Sequence, residues 1–205
     1  VQAAVQRLHD DVGISARHLT VSTVGIVPGI HKLAKWPQPV NLAVSLHAAN
    51  DALRDELVPI NKRYPLHELM EACADYLEAR GRRLSFEWAL IDGVNDRLQD
   101  VHELAELCLE LPLPAHVNLI PLNTTPGYPT RGTSPEGVAR FRNELLRMGV
   151  NVTVRANRGN DIDAACGQLA AGQLVEQLGA GAAAAKTGVP RTISSAVPAP
   201  KRTRP

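Results

Sequence analysis

An excess of charge of one sign, paired cysteines and long apolar runs are all missing from this sequence, and each absence narrows what the chain can be. Lys and Arg number 22 against 21 Asp and Glu in 205 residues, a formal net charge of +1. No global basic excess announces nucleic acid, so any RNA contact must come from a local patch. The three cysteines, Cys73, Cys108 and Cys166, are widely spaced and odd in number. They make no disulfide framework and suit a reducing, cytoplasmic setting. There is no Cys-x-x-Cys, and the seven histidines are scattered, so no metal site of the closed zinc type is expected. No apolar run approaches the ~20 residues of a membrane span.

What is present reads as one α/β unit, the length suiting a single domain of roughly 100–200 residues. Short aliphatic and β-branched runs bounded by turn formers predict strands over 18–24, 40–47, 83–91, 115–122 and 150–155. Between them the spacing predicts helices. Leu66, Leu69, Met70, Cys73, Tyr76 and Leu77 recur at helical intervals before a stop at Gly81. Val101, Leu104, Ala105 and Cys108 repeat the pattern over 98–111. Ser134-Pro135 opens a third helix as N-cap and first-turn proline, Val138, Phe141, Leu145 and Met148 form its stripe, and Gly149 ends it. Near-continuous apolar strands separated by helices predict a parallel sheet covered on both faces, either a partial barrel or an open α/β sheet. This unit is expected to span residues 1–178. From Gly179 to Pro205 an alanine-rich run gives way to four prolines and five Lys/Arg. That composition predicts a disordered tail, with a basic RNA-tethering arm as the alternative. Val1 falls inside a helical pattern, which leads us to expect the C-terminal part of a longer protein.

In α/β barrels the reactive groups gather where strands end. Here the first strand finishes around Ser22, the second at Ser45-Leu46-His47, and the fourth at Asn123. Each residue alone reads as a cap, a core histidine or a turn former. Together, hydroxyls, an imidazole and a carboxamide at successive strand ends suit a small ligand bearing ribose hydroxyls, an amine and a carboxylate. Glu87, a charge in an otherwise apolar strand, needs a partner and could line a barrel. Residues 92–96 read first as a turn and second as a site loop. Cys73 and Cys108 lie on apolar helix stripes and read as core thiols. Cys166 differs, standing among small residues just past Arg155, Arg158 and Gly159. A helix capped by Asn160 or Asp161 would place its thiol where the helix dipole and Arg158 favour thiolate.

Several blocks occur in order and at matching intervals: residues 18–25 (HLTVSTVG), 42–48 (LAVSLHA), 58–61 (VPIN), 93–96 (GVND), 117–121 (VNLIP) and 161–168 (DIDAACGQ). As a set they resemble the radical S-adenosylmethionine (SAM) methyltransferases that modify adenine carbon-2 in 23S ribosomal RNA and transfer RNA. The resemblance runs from about Val12 to Ala170. It implies an incomplete α/β barrel with the cofactors at the strand C-terminal ends. It also implies that Ser22, Ser45, Leu46, His47 and Asn123 contact SAM, and that Cys166 is the methyl-carrying cysteine. The family reaction takes a methyl onto the cysteine, then uses a [4Fe-4S] cluster and a second SAM to deliver the carbon as a radical. By this resemblance the partners are 23S ribosomal RNA and transfer RNA, with a flavodoxin or ferredoxin as electron donor to a monomeric, cytoplasmic enzyme.

Family members also carry a three-cysteine cluster loop, a Gly-Glu-Pro strand end, a second catalytic cysteine and an accessory domain, none of which has a match here. The expectation is a fragment that binds no cluster alone. A Cfr-type carbon-8 methyltransferase shares the cysteine chemistry and remains open as an alternative, as does a non-catalytic RNA-binding remnant.

Overall fold

The structure, a computed structural model, describes residues 1–122 and 130–155. Five parallel strands form one sheet in sequence order: β1 (Thr20–Thr23), β2 (Asn41–Ser45), β3 (Leu84–Leu90), β4 (His116–Pro121) and β5 (Asn151–Val154). All five lie where the aliphatic runs predict them. Six helices accompany the strands: α1 (Gln2–Asp10), α2 (Val27–Ala34), α3 (Asp51–Leu57), α4 (Leu66–Arg80), α5 (Leu98–Leu109) and α6 (Pro135–Arg147). The three helices expected from periodicity are α4, α5 and α6. α4 stops at Gly81, which adopts the left-handed conformation and donates its N–H to Leu77 O. α6 starts at Ser134, whose Oγ accepts from the Gly137 N–H at 3.1 Å. The short helices α2 and α3 escaped the periodicity reading, since seven or eight residues give barely two turns of pattern.

One expectation is corrected. Near-continuous apolar strands predict cover on both faces, but among the described residues helices cover only one. Right-handed crossovers between strands added in sequence order place each connecting helix on the same side. Alternate strand residues face those helices, and Leu42, Val44, Leu84, Phe86, Trp88, Val117, Leu119 and Val152 enter the core. They pack with helix residues such as Ile30, Leu69, Tyr76, Leu104 and Phe141. Trp88 and Phe141 meet as a tilted aromatic pair with centroids 6.0 Å apart, and the indole N–H donates to Asn95 O at 3.2 Å. Cys73 and Cys108 are core thiols as expected: burial pushes each up to about 12, with the Arg54 guanidinium opposing the shift at Cys73. Residues 156–205, including the expected boundary at 178 and the tail, lie outside the described residues.

Candidate functional site on the open face of the sheet

The other face of the same strands is polar. A strand period of two sends Ser22, Ser45, Glu87, Asn118 and Thr153 to this side, and all five strands contribute to a single cavity of about 900 Å³. That volume lies within the roughly 300–1,000 Å³ of small-molecule sites. Ser45 is the register partner of Glu87, Glu87 of Asn118, and Asn118 of Thr153, so a row of polar side chains crosses the sheet. The row is tied by hydrogen bonds. The Thr153 hydroxyl donates to Asn118 Oδ1 at 2.8 Å, and Asn118 Nδ2 donates to Glu87 Oε1 at 2.8 Å. Ser85 Oγ donates to the same Glu87 oxygen at 3.3 Å. Since Thr153 spends its proton on Asn118, its oxygen accepts from His116 Nε2 at 2.9 Å, which assigns the His116 proton to Nε2.

His47 stands just past β2 in the left-handed region, with φ of 61°. A non-glycine residue there costs roughly 1 kcal/mol or more and persists only where neighbours hold it. Two do. Ala89 N–H donates to His47 Nδ1 at 3.0 Å, and the His47 carbonyl accepts from Asn95 Nδ2 at 2.8 Å. Because Ala89 can only donate, Nδ1 carries a lone pair and the neutral ring keeps its proton on Nε2. Burial lowers the His47 pKa from its ordinary value, the Arg54 charge adds to the effect and Glu87 opposes it. The ring is therefore held neutral, with a fixed tautomer.

Two buried residues brace the rim. Asn95 is wholly buried, and besides His47 O it donates to Ala89 O while its Oδ1 accepts from Ile91 N–H. Arg54, on α3, is also fully buried. It donates to the carbonyls of Val24 at 2.9 Å, Ser45 at 3.3 Å and Leu46 at 3.2 Å, and to Asn61 Oδ1 at 2.7 Å. Asn61 passes on to Asp51 and Asp55, each at 2.8 Å. Burial lowers the Arg54 pKa, with Asp51 opposing. One guanidinium thus clamps the ends of β1 and β2. Gly25 makes room for it: φ is +104°, and a Cβ there would stand 3.1 Å from Arg54 Nη2.

Of the residues expected at the site, Ser22, Ser45 and His47 share this cavity. Leu46 does not bring its side chain there. It is buried in the core, its N–H donates to Glu87 O and its carbonyl is held by Arg54. Asn123 and Cys166 lie outside the described residues. Sequence reasoning missed Arg54 and the bracing role of Asn95. An arginine in a short helix looks solvated, and its one signal was the flanking pair Asp51 and Asp55. Asn95 sat within a segment read first as a turn.

No family model matches the chain. A crystal structure of a radical SAM methyltransferase from Sphaerobacter thermophilus superposes with a TM-score of 0.75 at 52% identity, covering 80% of this chain and 48% of that one. A domain of pyruvate-formate lyase-activating enzyme from Bacteroides vulgatus shares the fold at a TM-score of 0.60 and 17% identity, covering 76% of this chain and 89% of that one. The fold is therefore that of the radical SAM enzymes, and the sequence narrows it further. The chain is 50% identical over 167 residues to a probable dual-specificity RNA methyltransferase RlmN from Desulforamulus reducens, covering 80% of this chain and 47% of that protein. It is 51% identical over 162 residues to the dual-specificity RNA methyltransferase RlmN of an Anaeromyxobacter species, covering 79% and 42%. The chain is a homologue of the RlmN methyltransferases, and it spans somewhat less than half the length of the relatives it matches.

Among the described residues no helix is long and apolar enough to cross a membrane, and no cluster of three or more His, Cys, Asp or Glu could hold a metal ion. An iron–sulfur cluster of the three-cysteine kind does not fit the residues present. Two of the chain's three thiols are sealed in the core, which leaves only one.

Proposed function

We propose that this chain forms the later-strand half of an RNA methyltransferase that adds a methyl group to carbon-2 of adenine in 23S ribosomal RNA and transfer RNA. The observation that carries this reading is the convergence of Ser22, Ser45 and His47 on one ligand-sized cavity along the open face of the sheet. In this reading the cavity takes SAM. Ser22 and Ser45 offer hydroxyls, the His47 Nε2–H is a donor with a fixed tautomer, and the family resemblance assigns a further contact to the Asn123 carboxamide. Leu46 contributes through the backbone that it and Arg54 pin, rather than through its side chain.

Cys166 is assigned the role of methyl acceptor. Its sulfur gives up its proton and then forms a bond to the methyl carbon as the donor's carbon–sulfur bond breaks, leaving a neutral thioether on the donor. Moving that carbon to an unactivated ring position demands radical chemistry, for which this chain supplies no cluster ligands. A Cys166→Ala change in the complete enzyme is expected to abolish carbon-2 methylation, read as 2-methyladenosine in digests of ribosomal and transfer RNA. Methylated adenine persisting in that variant would remove Cys166 from the mechanism.

A further inference from the structure

Glu87 is the one acid lining the cavity among the described residues, and it is only half satisfied. Its Oε1 accepts from Asn118 Nδ2 and Ser85 Oγ, both neutral donors. Its Oε2 has no hydrogen-bond partner, is not sealed from solvent, and opens onto the cavity. Among the described residues no Lys, Arg or His lies at ion-pair distance from it. Two side chains thus hold one oxygen of a carboxylate that lines the cavity, and the second oxygen is left for a ligand. Glu87 is half-buried and its side chain is held only by neutral donors. A cationic ligand group beside it would form a charge-assisted hydrogen bond, the stronger kind. Arg83 and Arg155 line the same cavity at other positions and suit a ligand carboxylate. Opposite charges at separate places on one wall fit a zwitterion better than a simple anion.

We propose that Glu87 is a ligand-binding residue that receives a cationic group of the bound molecule, and so selects charged SAM over its neutral adenosine relatives. This rests on the cavity being the SAM site. The row Ser45–Glu87–Asn118 places the carboxylate beside the residues assigned to SAM, and His47 lines the same cavity.

The test is calorimetric titration of the 205-residue chain with SAM and with 5′-methylthioadenosine, which keeps the adenosine and the methyl-bearing sulfur but carries neither ammonium nor sulfonium. Glu87→Gln preserves shape and the Asn118 contact while removing the charge. It is expected to weaken SAM at least about tenfold and leave methylthioadenosine within about twofold. Glu87→Asp, which keeps charge at shorter reach, should fall between, and in the wild type the preference for SAM should shrink as salt rises. Equal weakening of both ligands, or no change in either, overturns the role of Glu87 while the cavity keeps its SAM assignment. Failure of the wild-type chain to bind SAM overturns both. Should Glu87→Gln not fold, the Asp variant and the salt dependence decide: a SAM preference that neither moves rejects the proposal.

Discussion

The two faces of one sheet divide this molecule more sharply than any boundary along the chain. On β3, Leu84, Phe86, Trp88 and Leu90 are wholly buried under the helices, while Ser85 and Glu87, between them, face the cavity. The helix-covered face is held by area removed from water, a non-directional effect that tolerates any well-packed apolar neighbour. The open face is held by directional bonds among residues that contribute little area. Stability and recognition are thereby separated by a one-residue step. A one-residue slip of any strand would exchange them, so register is strongly specified.

Three perturbations probe this contrast, from the largest effect to the smallest. Trp88→Ala should cost about 3–5 kcal/mol in denaturant unfolding, through lost burial and the cavity left behind, whereas Ser85→Ala on the same strand should cost no more than about 1 kcal/mol. Similar losses at both positions would mean that the polar row contributes as much to folding as the core. Arg54→Ala sits where the two regions meet and should cost about 3 kcal/mol, because the carbonyls of Val24, Ser45 and Leu46 lose a buried donor. If it unfolds at the wild-type midpoint, water replaces the guanidinium without penalty and the clamp is not structural.

The smallest effect is acid sensitivity. Burial lowers the pKa of both His47 and His116, with Arg54 and Arg83 respectively adding to it. The unfolded chain then binds more protons than the folded one as pH falls through the unfolded value near 6.5, so stability is full above that pH and declines below it toward the depressed folded pKa. His47→Gln should flatten part of this decline between about pH 7 and 5, and an unchanged slope would show that the ring is not held neutral.

Much of this fold was legible in the sequence because its signals are local. The N-cap at Ser134, the stop at Gly81 and the stripe of α4 depend on residues a few positions apart. The site was legible in part. Ser22, Ser45 and His47 stood out as polar groups at strand ends, and the structure places them on one cavity. The resemblance implies Leu46 as well, and alternation turns its side chain into the core while its carbonyl is held by Arg54. Glu87 was noticed but had no visible partner, since Asn118 lies 31 residues away and meets it only through sheet register.

The sequence by itself determined the five strands and the helices α4, α5 and α6, which two thiols enter the core, and the likeness to the RlmN methyltransferases. Tertiary structure alone decided that helices of the described residues cover one face instead of two, that Arg54 is buried at the ends of β1 and β2, and that Glu87 lines the cavity. The physical reason is range. Periodicity and capping act within a turn or two of chain, whereas a carbonyl of Val24 finds the Arg54 guanidinium 30 residues on only after parallel strands have set their register.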